Sequence, residues 1–400
     1  MRILQILTRP NLGGPMRHLQ ALGRSAPWQP ENGPVQVLMA VGRCPADEAE
    51  LCCDELREVA PADVDTQATG MVRIPALGPR LHPLRDRRAA AAIRQLIRRF
   101  RPHVVHTHTS KAGLLGRRAA TAAQVPVVAH TFHGHVLRDY YGATFNALMR
   151  TMERRLARQT NLVFAVSGSC RDELEELGVG VGRIRVLPPA VDLAPFSARA
   201  NPAARHAAQR ALGVQDARPL VGFVGRMVPV KQPELFVAMA RQLPGVQAVM
   251  FGDGPGLAGL RGSHGDVIRF LGAVPDLQRY LPALDLLVLT SRREGFPLAA
   301  LEARACGVAL VGLDRPGIRD ALAGGDCGLL VPPESSPVDL ATAVQSLLED
   351  ARRRHHYVAQ GLSNLWAYHP DRVATALTQH YAAVLADSPA SAAVAGTRLG

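Results

Sequence analysis

Along the chain, short apolar runs rich in β-branched residues alternate with longer stretches in which apolar positions return every three or four residues. The runs at 2–8, 35–40, 71–75, 103–108, 125–130, 162–166 and 183–188 predict seven strands, and those at 220–224, 246–251, 267–271, 285–290, 308–313 and 328–331 predict six more. Most are apolar nearly throughout, as strands covered on both faces of a parallel sheet must be. The intervening stretches read as helices; 86–100, for example, offers Ala91, Ile93, Leu96, Ile97 and Phe100 as an apolar face. This rhythm predicts an α/β chain with two doubly wound, Rossmann-like domains in series.

The predicted boundaries are a first domain at 1–195, a polar Ala/Arg/Pro-rich linker at 196–217 and a second domain at 218–386. Residues 336–386 are expected to form helices packed near the end of the second domain, and the small, polar tail at 387–400 is expected to be disordered. No run approaches the roughly 18 apolar residues of a membrane-spanning helix. The N-terminal apolar stretch meets Pro10 too soon for a signal peptide and reads as a buried first strand. Six cysteines without a C-x-x-C pair suggest reduced thiols in a cytoplasmic protein.

Charge adds a question. The chain has 46 Lys+Arg against 34 Asp+Glu, and only Lys111 and Lys231 are lysines. An anionic partner is therefore worth seeking. With 4% aromatic residues and no nucleic-acid module, nucleic acid is not the expected one. Residues 71–118 hold 12 basic residues and a single acid, Asp86. That stripe predicts peripheral contact with an anionic membrane face or a polyprenyl-diphosphate acceptor, against the plain alternative of a solvated arginine-rich helix.

Ligands of open α/β sheets sit beyond the carboxyl ends of the strands, and the informative residues lie there. Gly13-Gly14 follows the first strand and precedes a helix whose free N–H groups suit an anion, without the G-x-G-x-x-G pattern of dinucleotide enzymes. The first strand of the second half ends in FVGRMVPVKQ, placing the cations Arg226 and Lys231 where a departing diphosphate would need them. The fourth ends in TSRREGFPLAALE. Glu294 lies in that loop, Pro297 suits a first helical turn, and Glu302 falls one turn further, where it could accept ribose hydroxyls. Five histidines, His106, His108, His130, His133 and His135, follow two neighbouring strands of the first half. They allow hydrogen bonding to a sugar, with His133 the first choice, or a metal site, for which nearby carboxylates are sparse.

Taken together, LTRPNLGGP, HTHTSKAGLLGR, HTFHGHVL, VSGSCRDEL, FVGRMVPVK, EGFPLAALEARACG and GLLVPP resemble the retaining glycosyltransferases of family four (group 1), most closely those of bacterial exopolysaccharide and capsule synthesis. The resemblance spans nearly the whole chain. It implies the GT-B fold, two Rossmann-like domains facing across a cleft. It also implies hexosyl transfer, with retention, from a nucleotide diphosphate sugar to a lipid-linked saccharide or polysaccharide precursor, with no cofactor and no bound metal. By that likeness Glu294 would hold the donor sugar, Glu302 the ribose, and Arg226 and Lys231 the diphosphate. His133 would lie near the reacting sugar. Gly14, Gly295, Phe296 and Leu298 would surround sugar and phosphates, and Leu271 with Gly272 would lie near the base. Gln232 replaces the glycine that often follows the lysine, and Arg315-Pro316-Gly317 replaces a more glycine-rich loop. The competing readings are a GT-B-shaped sugar-nucleotide epimerase, a histidine-cluster metal hydrolase and a non-catalytic nucleic-acid-binding protein.

Overall fold

The computed structural model describes residues 1–29, 35–45, 50–51, 57–135, 137–138, 142–214, 218–265 and 267–387. The tail at 388–400, expected to be disordered, lies outside them. The chain divides into two units, one of residues 1–191 with 368 onward and one of residues 192–367.

The first unit contains β1 (Arg2–Leu7), β2 (Gln36–Val41), β3 (Gly70–Arg73), β4 (Val104–His108), β5 (Val127–Phe132), β6 (Leu162–Ala165) and β7 (Ile184–Val186). All pair in parallel in the order β3-β2-β1-β4-β5-β6-β7. The second contains β8 (Leu220–Val224), β9 (Gln247–Phe251), β10 (Ile268–Gly272), β11 (Leu286–Leu289), β12 (Ala309–Leu313) and β13 (Leu329–Val331). Their order, again all parallel, is β10-β9-β8-β11-β12-β13. Each sheet reverses its winding once, between β1 and β4 and between β8 and β11. Those are the points where doubly wound folds take ligands.

Strand periodicity divides each core in two. On β1, Ile3 and Leu7 pack in one cluster and Leu4 and Ile6 in the other, across the sheet. Gln5 shares the Ile3–Leu7 face and is fully buried, so it must find polar partners there.

Two expectations need correction. Helix Pro370–Ala386 does not close the second unit: Val373, Ala374, Leu377 and Tyr381 belong to the core cluster of Ile3, Leu7 and Val104. The Trp28 indole donates to Thr378 Oγ1 (3.1 Å) and fixes the helix there. Its amphipathic stripe fits either core, so the chain's return to the first sheet is a tertiary choice. The predicted linker at 196–217 is likewise no free linker over its described residues, 196–214; 215–217 lie outside the described residues. Helices Ala194–Ser197 and Pro202–Leu212 place Phe196, Ala208 and Leu212 in a second-unit core cluster. A smaller difference falls on helix Pro83–Phe100, where Ala89 is buried and Ala91 exposed.

Candidate functional site

Most of the predicted site residues gather at the carboxyl ends of β8, β10 and β11. After β8 the chain passes Gly225 and Arg226 and makes a single 3₁₀ turn, Pro229–Lys231. Lys231 ends that turn and pairs its Nζ with Glu294 Oε1 from the loop after β11. The Ser291 hydroxyl donates to the same carboxylate oxygen (2.7 Å), and the Arg292 amide donates to Val230 O (2.8 Å), joining the two loops. Thr290 Oγ1 donates to Lys231 O (2.8 Å) and Gln232 O (3.1 Å), which fixes the lysine backbone. Gln232 has φ 48° and ψ 52°, the left-handed conformation that favours glycine. The residue thus departs from the family pattern while the backbone keeps it.

Glu294 is held from behind as well. Its amide donates to Pro316 O (3.3 Å). Gly317, at φ 79°, lies so close that a Cβ there would come 2.4 Å from Glu294 O. The Arg315-Pro316-Gly317 loop, a departure in sequence, is therefore the brace of the carboxylate.

Pro297 is the residue preceding helix Leu298–Ala305 rather than part of its first turn. No side chain caps this helix, and no acid sits in its first turn. Its first amides, Leu298 among them, form the sort of terminus that takes an anion. Gly295 is buried, and Phe296 packs on the core beneath. Arg226 is exposed beyond β8. Leu271 and Gly272 end β10, where Gly272 accepts the Gly252 amide (2.7 Å). Glu302 is buried at 2% exposure in helix Leu298–Ala305. Its charge adds to burial in pushing the Cys306 thiol up to about 12, which leaves that cysteine unreactive.

The first unit places Gly14 and His133 separately. Gly14 opens helix Gly14–Gly23, which also lacks a side-chain cap and an acidic first turn. His133 follows β5 and meets two other histidines. Its Nε2 lies 2.9 Å from His108 Nδ1, and the His18 ring stands edge-on at 5.1 Å between centroids. The remaining predicted histidines have structural partners. His106 bonds the Tyr381 hydroxyl (2.5 Å) and Thr131 (2.7 Å), His130 bonds Thr107 (2.8 Å), and His135 bonds Glu173 (3.0 Å). Burial holds His18 and His106 down at about 3, the latter helped by the nearby His18. Burial, then the neighbouring histidines and, for His130, Arg117 ahead of them, also holds His108, His130 and His133 well below the usual imidazole range. His18, His106, His108, His130 and His133 are therefore neutral at pH 7.

Nitrogens of His18, His108 and His133 lie within 4.8 Å of one another, near enough to meet a metal ion. The hydrogen bonding speaks against it. His18 Nδ1 accepts the Ala190 amide (2.8 Å), so in the neutral ring the proton is on Nε2 and no lone pair faces the group. A metal there would have to strip that proton to leave an imidazolate.

Sequence reasoning missed His18, Ser291 and the brace by Gly317. His18 lies on the buried face of its helix with Met16, Leu19 and Leu22, and nothing local connects it to residue 133. Lys111, the other lysine, pairs with Asp86 (2.8 Å).

Two parallel doubly wound units, with a lysine–glutamate pair at the switch point of the second, define a GT-B protein. The chain belongs to the family 4, group 1 glycosyltransferases. Residues 38–195 match the Glycosyltransferase Family 4 model, and 218–350 match Glycosyl transferases group 1. A D-inositol 3-phosphate glycosyltransferase of Geodermatophilus obscurus is 31% identical over 326 residues, covering 74% of this chain and 70% of that one. The UDP-Gal:alpha-D-GlcNAc-diphosphoundecaprenol alpha-1,3-galactosyltransferase of Escherichia coli is 29% identical over 248 residues, or 59% of this chain, and the match spans 64% of the relative's length. The structure of Anabaena HepE in complex with UDP aligns with a TM-score of 0.73 at 20% identity, over 96% of this chain and 100% of that one.

Proposed function

We propose that the protein transfers a hexosyl group from a nucleoside diphosphate sugar to an acceptor hydroxyl, retaining the anomeric configuration. The observation that carries this reading is the Lys231–Glu294 pair, set at adjacent strand ends beside the uncapped helix Leu298–Ala305. Lys231, Arg226 and the first amides of that helix supply fixed positive charge where a departing diphosphate gains negative charge. Glu294, with Ser291 on its carboxylate, accepts sugar hydroxyls. Glu302 takes the ribose, and Leu271 and Gly272 lie by the base. Gly14 offers an amide toward the sugar and phosphates, and His133 a ring nitrogen toward the sugar.

In the reaction the bond between the anomeric carbon and the diphosphate oxygen breaks. The acceptor oxygen bonds to the same face of that carbon, and its proton passes to the leaving phosphate oxygen. Both carboxylates have other duties, so no covalent sugar intermediate is invoked. Fixed cations serve the leaving group, and the His18 hydrogen bonding supports a centre without a resident metal.

The named activity of the Escherichia coli relative supports UDP as the nucleotide and a diphosphate-linked polyprenyl saccharide as the acceptor. Such an acceptor lies in a membrane. Among the described residues no helix is long and apolar enough to cross one. Leu81 (69% exposed) and Leu84 (61%) stand at the start of helix Pro83–Phe100 among the exposed Arg80, Arg85, Arg87 and Arg88. Apolar tips amid cations suit peripheral contact with an anionic leaflet. Asp86, the stripe's lone acid, is already paired to Lys111.

The test is a thermal-shift panel of nucleotide sugars, followed by transfer assays on a lipid-linked acceptor extract. Stabilisation by one UDP-sugar and its consumption only with acceptor are expected. Turnover of donor to a free epimerised sugar without acceptor would overturn the reading. Co-sedimentation with liposomes tests the membrane contact, and equal recovery on neutral and anionic lipid would refute it.

A further inference from the structure

The strand register puts the side chains of Gln5, His106 and His108 on one face of the first sheet, with Gln5 paired to His106 and Leu7 to His108. The polar groups of that face form a chain. Gln5 Oε1 lies 2.7 Å from His108 Nε2. A carbonyl oxygen only accepts, so His108 Nε2 must carry the ring proton. His108 is neutral, which leaves its Nδ1 bare. That bare nitrogen faces His133 Nε2 at 2.9 Å, so His133 Nε2–H must be the donor, and His133 Nδ1 is bare in turn. It has no partner among the described residues, and His133 is the one member of the chain that is not fully enclosed.

Two further features hold the chain in place. Thr109, directly after His108, has φ 67° and ψ 158°, a region otherwise used almost only by glycine. Its hydroxyl pairs with that of Thr8 (2.6 Å), which also accepts the Ala112 amide (3.1 Å). This tie fixes the end of β4 that carries His108. On the other side the His18 ring, anchored through Nδ1 to the Ala190 amide, stands edge-on to His133.

We infer that Gln5, His108 and His18 are positioning residues that fix His133 in its Nε2–H form, so that its bare Nδ1 faces outward as a permanent hydrogen-bond acceptor. This rests on the proposed sugar transfer for its purpose, since the ligand must then offer a hydroxyl to that nitrogen. It does not rest on it for its existence. A fixed acceptor discriminates because a sugar lacking the hydroxyl, or offering only an acceptor there, leaves the nitrogen unpaired.

The test is ¹⁵N NMR of the full-length protein labelled at histidine, at pH 7, with His133 assigned by its loss in His133→Gln. The wild type should show His133 with Nδ1 unprotonated and Nε2 protonated. In His108→Leu both nitrogens should move toward a mixture of forms, and the donor KM should rise about tenfold with the acceptor KM unchanged. His108→Asn, whose side-chain oxygen can stand where Nδ1 stood, should restore both. A His133 protonated at Nδ1 or doubly protonated in the wild type would overturn the inference, and that spectrum decides even where a variant does not fold. An unchanged tautomer in folded His108→Leu, or no rescue by His108→Asn, would overturn it too. The expected tautomers in a protein that transfers no sugar would count against the proposed function alone.

Discussion

Acidification offers a quantitative test of the buried histidines. His18 and His106 lie at about 3 in the folded chain against 6.5 in model compounds. Both side chains are essentially inaccessible, at 1% and 0% exposure. Between those values the unfolded chain binds one more proton at each, so stability is full above the unfolded value and falls as pH drops below it. The slope is about 1.4 kcal/mol per pH unit for each ring. From pH 7 to pH 5 only the last 1.5 units or so count, giving about 2 kcal/mol per histidine and about 4 for the two. His108, His130 and His133 act in the same direction. A loss of that order is a large part of the ~5–15 kcal/mol that holds a domain folded, so the first unit should approach unfolding near pH 5. The chain's two tryptophans separate the units: Trp28 is buried in the first, whereas Trp366 is 59% exposed in the second. Urea titrations followed by tryptophan emission should show the Trp28 transition moving to lower urea as pH falls from 7 to 5. Replacing His106 with Asn should flatten that dependence, whatever it does to stability at pH 7. A midpoint independent of pH, or one that rises with acid, would refute the assignment of neutral, desolvated rings.

Other consequences follow from single contacts. Lys231→Ala should lower kcat/KM for transfer by about 10²–10³ while leaving the urea midpoint of the second unit nearly unchanged. Gly317→Ala should destabilise the second unit by at least about 2 kcal/mol and impair transfer, because the new Cβ meets Glu294 O; calorimetry and initial rates check both. Gln232→Gly should stabilise by up to ~1 kcal/mol through relief of its left-handed backbone, read as a rise in urea midpoint. Glu153→Ala should remove about 3–5 kcal/mol, since it strands Arg117, whose pair with Glu153 (2.6 Å) has both side chains at 1% exposure.

The thirteen strands among the described residues were legible because parallel strands covered on both faces are apolar nearly throughout, and few other segments are. Lys231 and Glu294 were legible because each follows such a strand. Their direct pairing was not, since it depends on β8 and β11 being neighbours although β9 and β10 lie between them in sequence. The helix at 370–386 was assigned to the wrong core because an amphipathic stripe states that a face is buried and not against what. The histidines show the same limit at finer scale. Alternation along β4 puts His106 and His108 on one face, but only the register of β1, β4 and β5 brings Gln5 and His133 to them, and only tertiary packing brings His18.

Sugar transfer driven by the Lys231–Glu294 site underlies the other roles proposed for these residues. Its most direct test is NMR of the glycosylated product formed by the wild-type protein from a UDP-sugar and a diphosphate-linked lipid saccharide. A new glycosidic bond with the anomeric configuration of the donor is expected, with its near loss in Lys231→Ala. An inverted linkage, a free sugar as the sole product, or undiminished transfer by Lys231→Ala would contradict it.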